Sequence, residues 1–176
     1  TKTERGVTAG AVSVDPRVEK VAIAEIEPLV PRTVSTYFST LNFGVARNPR
    51  TRIVVDDGRH VLATSTETYD AITSVPLDPW VKGAAMLYSQ EFFELAKSRL
   101  KPGGVMTLFV QLYSSSEAAV KSEVSTFFKV FPNGIVFGNT TNGVGYDLVL
   151  VGQAEPVRID LDRFEGLLQD PRMSPV

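Results

Sequence analysis

Four short β-branched runs, separated by stretches of helical periodicity, leave this chain very few architectures. The first two, "KVAIAEIEP" and "RIVVDDGRHVL", are apolar on successive residues and end in acids, as strands buried on both faces of a parallel sheet do. Between them, "PLVPRTVSTYFSTLN" puts Val30, Val34, Tyr37, Phe38 and Leu41 on one helical stripe. That is a strand, helix, strand unit.

The alternation continues. "YDAITSV" reads as a third strand, and "SQEFFELAKSRLKPGG" as a helix with Ser89 as cap, Glu91 at the positive end of the dipole, and Phe92, Phe93, Ala96 and Leu100 facing the sheet. Lys101-Pro102-Gly103-Gly104 should stop it. "GVMTLFVQL" is the fourth buried strand, and "SSEAAVKSEVSTFFKVFP" a helix capped by Ser116 that buries Val120, Val124, Phe127, Phe128 and Phe131. "NGIVFGN" and "GYDLVLVG" follow with no helix between them, which predicts a hairpin and one antiparallel edge. In "IDLDRFEGLL", Leu161, Phe164 and Leu168 recur at helical spacing behind Asp160 or Asp162, and "QDPRMSPV" reads as a frayed end. The sum is one α/β domain over residues 1–176, with 152–176 as its C-terminal helix and tail. Its sheet is doubly wound and mostly parallel with helices on both faces, and the last strand is antiparallel.

Composition removes several function classes. Lys plus Arg is 18 and Asp plus Glu 20, a formal charge of −2, which gives no footprint for nucleic acid or an acidic membrane surface. With no Cys and only His60, neither a thiol nucleophile nor a zinc site can be assembled, so no metal is expected. No apolar stretch approaches the ~18 residues that span a bilayer, and "TKTERGVTAG" lacks the apolar core of a signal peptide, so a cytoplasmic chain is expected. The absence of an initiator Met suggests a piece of something longer.

In open α/β sheets, ligands bind beyond the carboxyl ends of the strands. Three acids lie there. Glu25 can accept from the two vicinal hydroxyls of a ribose; Asp57-Gly58 can accept from an exocyclic amine while the glycine lets a base approach the backbone; Asp78 sits in "PLDPW" after the third strand. Each also has a plain structural reading: Glu25 as a cap, Asp57-Gly58 as a turn, Asp78 as a turn start before proline. His60 lacks a visible partner in the sequence and reads as a loop or helix-start residue, and Trp80 and Tyr88 as core or interface rings.

The ordered runs "VEKVAIAEIEPLV", "PRTRIVVDDGRHVL", "YDAITSVPLDPW" and "AAMLYSQEFFELAKSRLKPGGVM", with "VFP" before the last strands, resemble the spermidine synthase family of polyamine aminopropyltransferases. The resemblance covers Gly6 to Val151 and is strongest to the branch whose members are fused to other, often membrane-spanning, segments, so the parent is expected to be membrane-anchored. It implies an S-adenosylmethionine-dependent methyltransferase-like fold and no tightly bound cofactor. Glu25 would hold the ribose of decarboxylated S-adenosylmethionine or methylthioadenosine, with Asp57 and Gly58 at the adenine. Asp78 and Gln111 would lie on the polyamine side.

The departures from the family are as informative. Its first strand and Gly-rich loop are missing where "TKTER" stands, as is an upstream β-rich segment with a Tyr-Gln pair. The missing strand would have lain between the strands ending at Glu25 and near Ser74, so direct pairing of those neighbours or homo-oligomerisation is expected to fill its place. The family's strand "YDVII" ends in the Asp that takes a proton from the attacking amine, and Val75 occupies that position here. Its late active-site Tyr is not evident in "NTTNGVG". Asp78 is the one stand-in base. The resemblance therefore implies a parent that transfers an aminopropyl group to a polyamine, with this chain itself inactive. Two alternatives remain open: a degenerate, non-catalytic nucleoside-binding or assembly domain, and an S-adenosylmethionine-dependent methyltransferase.

Overall fold

The computed structural model describes residues 6–113, 115–141 and 144–171. The chain divides into two compact units, one holding the residues up to Val61 together with those from Ile159 on, the other Leu62–Arg158. The stretch "TKTER" and the last residues of "QDPRMSPV" lie outside the described residues, as do Asn142 and Gly143 within "NTTNGVG".

The first unit contains α1 (Val7–Val14), β1 (Val21–Glu25), α2 (Leu29–Tyr37), β2 (Thr51–Val55), the start of α3 (Gly58–Thr64) and α6 (Leu161–Leu168). β1 and β2 are parallel, from Val21 opposite Thr51 to Glu25 opposite Val55, so both strands deliver their carboxyl ends to one edge. Their small neighbour α1 approaches the chain so closely that a Cβ on Gly10 would lie 2.3 Å from the Asn42 carbonyl oxygen. Buried Asn42 donates from Nδ2 to the Val34 carbonyl (3.3 Å) and accepts at Oδ1 from the Gly44 amide (3.1 Å). Arg50 gathers the carbonyls at and after the end of α1: Ser13 at 2.7 Å, Asp15 at 3.3 Å, and Val18. A single guanidinium thus satisfies three backbone acceptors, those of Ser13 and Asp15 at the end of α1 and that of Val18 in the segment after it.

The inward stripe of α2 is narrower than its sequence suggests. Val34 is buried and Val30 and Phe38 half-buried, but Tyr37 is 78% exposed and Leu41 is exposed too. The helix stops at Tyr37, and left-handed Phe43 (φ 54°) and Gly44 (φ 64°) turn the chain into a 3-10 turn at Val45–Arg47, so helical spacing no longer sets which residues face inward. In α6, Asp160 caps as expected by accepting from the Arg163 amide (3.0 Å), while Leu161, Phe164 and Leu168 are all exposed.

The second unit holds β3 (Tyr69–Ser74), α4 (Gln90–Ser98), β4 (Leu100–Gln111), α5 (Glu117–Val130), β5 (Ile135–Thr141) and β6 (Val144–Gln153). Their sheet runs β3-β4-β6-β5, with β3 parallel to β4 and β6 antiparallel to both β4 and β5. The expected hairpin forms, and its second strand inserts beside β4. Ser89 and Ser116 cap α4 and α5 by accepting from the amides of Phe92 and Ala119, each at 3.2 Å. The core combines Phe92, Phe93, Phe127 and Phe131 with Met106, Leu108, Val110 and Leu150. Its rings interlock, Phe127 lying 5.3 Å from Phe93 in an edge-on arrangement and 5.0 Å from Phe131.

Two expectations are corrected here. Leu100 does not extend α4: it opens β4 opposite Tyr69, and "KPGG" is a bulge inside that strand, the pairing jumping to Ala71 opposite Val105. Gly103 supplies the left-handed residue (φ 75°), and a Cβ on Gly104 would sit 2.9 Å from the Lys101 carbonyl oxygen. The other correction concerns the strands flanking the missing one. β1 pairs with β2 and β3 with β4, in different sheets, so direct pairing of β1 with β3 is absent among the described residues. Residues 7–14 form a helix, not a strand. Among the described residues no helix is long and apolar enough to cross a membrane.

A Cβ built on Gly152 would lie 2.4 Å from the Phe131 ring, in a core where neither partner has room to move. Gly152→Ala is therefore expected to lower stability by about 1–3 kcal/mol. A chemical denaturation series checks this, with Gly166→Ala, where a Cβ meets nothing within 4 Å, as the control.

Candidate functional site

In the first unit, the parallel register of β1 and β2 puts Glu25 on the last residue of one strand and Asp57 two residues beyond the end of the other. Both are half-buried and both carboxylates are partly engaged. Glu25 Oε1 accepts from the Glu27 amide at 2.9 Å, folding back over its own turn. Asp57 Oδ1 accepts from the amides of Arg59 (2.8 Å) and His60 (3.1 Å), which makes it the cap of α3. The structural readings of both residues are therefore real. Each uses one named oxygen in these bonds, and a carboxylate has a second with further lone pairs. Gly58 begins α3, and a Cβ there would meet only Ala24 Cβ at 3.8 Å, so the backbone does not require glycine at this point.

Asp56, beside this pair, holds His60: Oδ2 lies 2.7 Å from Nδ1. This partner stands four residues back and comes into reach because α3 starts directly after the strand. The contact to His60, followed by the Asp57 amide, holds the Asp56 carboxyl below its ordinary range. His60 is thus oriented by an acid on an exposed helix start, not an unpartnered loop residue.

In the second unit, Val75 follows β3 and is half-buried, and its isopropyl group accepts no proton. Asp78 lies on the following loop, where its carbonyl accepts from the Val81 amide at 2.9 Å, a turn like the one expected of Asp before Pro. Its charge is felt by three other groups. Tyr88 is raised, by burial first and then by Glu123, Asp78 and Tyr113; Glu123 by burial and then Asp78; Tyr113 by burial, then Tyr146 and Asp78. Tyr88 stays protonated and donates to the Leu77 carbonyl at 3.2 Å, pinning the Asp78 loop. Of the two rings read as core or interface, Tyr88 is buried, and Trp80 at 54% exposed is not a core ring.

Glu123 was not visible as a candidate. It is only 8% exposed, and its Oε1 has no hydrogen-bond partner among the described residues. A signal for it did exist: Glu123, Phe127 and Phe131 stand four apart, so an acid shares the inward stripe of α5. Gln111, at the end of β4, also buries a polar atom, Nε2, with no hydrogen-bond partner among the described residues. Beyond it, the rings of Tyr113 and Tyr146 stack at 4.7 Å. Tyr146 follows directly after the "NTTNGVG" stretch.

Residues 6–141 match the model of the spermine/spermidine synthase domain. A polyamine aminopropyltransferase of Aeropyrum pernix is 30% identical over 129 residues, covering 70% of this chain and 41% of that protein, so the chain spans less than half of this relative. Two solved structures share the fold. A spermidine synthase in complex with the transition-state analogue AdoDATO superposes with a TM-score of 0.69 at 21% identity, over 86% of this chain and 50% of that one. Human methyltransferase-like protein 13 in complex with SAH superposes with a TM-score of 0.67 at 18% identity, over 96% of this chain and 73% of that one.

Glu123 sets a pH signature. A carboxyl raised in the folded state contributes stability that is fully present below its unfolded value and lost as pH rises through its folded value. The melting temperature of Glu123→Gln relative to the unaltered chain should therefore differ little near about pH 4 and climb as the pH rises toward about 8. Thermal melts of the two proteins across that range check it; a difference independent of pH would contradict the assignment.

Proposed function

The chain belongs to the spermine/spermidine synthase domain family, and on that premise we propose that it is the nucleoside-binding part of a protein whose work is aminopropyl transfer from decarboxylated S-adenosylmethionine to a polyamine. What carries the proposal is the pair of carboxylates at the joint carboxyl edge of β1 and β2, Glu25 and Asp57, set by the parallel register. Glu25 would accept from the ribose hydroxyls, Asp57 from the adenine amine through the oxygen that does not cap α3, and Gly58 would let the ring approach. Asp78 and Gln111, in the second unit, would serve the amine. Gln111 would accept from an ammonium through its amide oxygen Oε1, the acceptor of that side chain.

The transfer forms a C–N bond from the amine to the propyl carbon and breaks the C–S bond, leaving methylthioadenosine. The amine must shed a proton, because a protonated nitrogen has no lone pair to attack with. Val75 cannot take that proton, and loss of a general base costs ~10²–10⁴-fold in rate. Asp78 is the acid that would have to replace it. Binding with little turnover is the expected state of this chain, and a degenerate nucleoside-binding or assembly role is the second reading, favoured specifically by Val75. β1 and β3 each show a single strand partner among the described residues. Pairing of such an edge with another chain would make a homo-oligomer, which size-exclusion chromatography with light scattering measures.

Calorimetric titration with methylthioadenosine tests the nucleoside site. Glu25→Ala, which removes both acceptor oxygens, and Asp57→Asn, which keeps a capping oxygen but turns the other acceptor into a donor, should each weaken binding by about tenfold or more. Affinity unchanged in both variants would overturn the assignment. Val75→Asp in the full-length protein should raise aminopropyl transfer by at least about tenfold if the missing base is the defect; no gain would favour the binding role.

A further inference from the structure

We propose that α6 docks on a second copy of this chain, lying along the exposed face of that copy's α2, so that two copies exchange the contact reciprocally. Both elements belong to the first unit, and each leaves apolar side chains in water. In α6 these are Leu161, Phe164 and Leu168, one stripe of the helix, and no residue of the helix is buried. Eight residues are too few to be stably helical in water by their own hydrogen bonds, so the order of α6 calls for a surface against that stripe. In α2, Leu29, Arg32, Thr33, Thr36 and Tyr37 recur at helical spacing, and all are exposed on the side away from buried Val34. Exposed Leu41 follows just beyond the helix end.

Charge selects a second copy as the occupant. From its cap to its last residue, α6 carries three acids, Asp160, Asp162 and Glu165, against Arg163 alone. Residues 28–55, which run through α2 to the end of β2, carry four arginines and no acid. Arg50 is occupied by backbone carbonyls, but Arg32 and Arg47 are exposed, and Arg32 stands within the α2 stripe itself. The acid just before this stretch, Glu27, accepts from the Leu29 amide at 3.0 Å. An acidic apolar helix and a basic apolar face thus occur on one molecule, and within a single chain both stay exposed. Such surfaces are complementary between copies, and a two-fold axis lets each contact be made twice. The doubling matters, because a stable interface buries roughly 1,200–2,000 Å² in total and one short helix supplies only part of that.

The docking does not rest on the aminopropyl-transfer reading, and it differs from pairing through the edges of β1 or β3 because it uses neither strand. Size-exclusion chromatography with light scattering, on a dilution series of the 176-residue chain, should show a dimer. Phe164→Asp in α6 and Tyr37→Asp in α2 should each raise its dissociation constant by at least about tenfold. A charge exchange then separates a lost contact from a damaged fold. Asp162→Arg with Glu165→Arg on α6, and Arg32→Glu on α2, should each weaken the dimer, and the chain carrying all three changes should associate at least about fivefold more tightly than either parent variant. A monomeric unaltered chain overturns the proposal, and so does a triple variant that recovers nothing. A dimer indifferent to Phe164→Asp and Tyr37→Asp overturns it as well, and assigns association to the strand edges instead. Failure of methylthioadenosine to bind would count against the nucleoside site and leave the α6 result standing.

Discussion

The Phe131 ring lies directly against the backbone of Gly152, and much of the second unit follows from that contact. A ring can reach a strand so closely only where no Cβ intervenes, so the glycine fixes how near α5 comes to β6. With Phe131 seated, Phe127 four residues earlier must also face the sheet, where it meets Phe93 of α4 and closes the aromatic core. Four residues earlier again stands Glu123. Its burial follows from the helix that carries the rings, and that burial favours its protonated form. Lys97, whose Nζ donates to the Val130 carbonyl at 2.8 Å and lies 5.6 Å from the Phe131 ring centre, closes the far end of the same helix.

The first unit depends on a different economy. Two five-residue parallel strands make too little sheet to be stable by pairing alone, and Arg50, Asn42 and the glycine contact at Gly10 hold its connections together. The same thrift shows at the strand ends. Asp57 caps α3, Glu25 closes its own turn, and Asp56 holds His60, so every acid at that edge has structural work. Structural work does not disqualify a carboxylate as a ligand group. It fixes the rotamer, and a fixed oxygen loses less entropy on binding than one on a free side chain.

Binding and proton transfer make different demands on a site, and the proposed reading assigns them to different residues. Recognition of a nucleoside needs acceptors in place, and these lie on regular strand ends set by register. Transfer needs, in addition, a base at the reacting nitrogen, and on the proposed reading Val75 supplies none. Asp78 remains close by, but its surroundings are those of an anion among other acids and buried hydroxyls, which suits attraction of a cation at least as well as acceptance of its proton.

By itself the sequence determined the alternation of strands and helices, the caps at Ser89, Ser116 and Asp160, the inward faces of α4 and α5, and the strand-end positions of Glu25 and Asp57. All of these are local: they follow from periodicity and from hydrogen bonds spanning two to four residues. Tertiary structure alone decided the rest. It assigned "KPGG" to a bulge in β4, because the glycines' allowed conformations are chosen by the neighbouring strand. It split the strands into two sheets, since pairing is a long-range event with no periodic signature. It also turned Glu123 from one acid among many into a buried one whose Oε1 has no hydrogen-bond partner among the described residues, because burial of a side chain is a property of what packs over it and is not written in the residue itself.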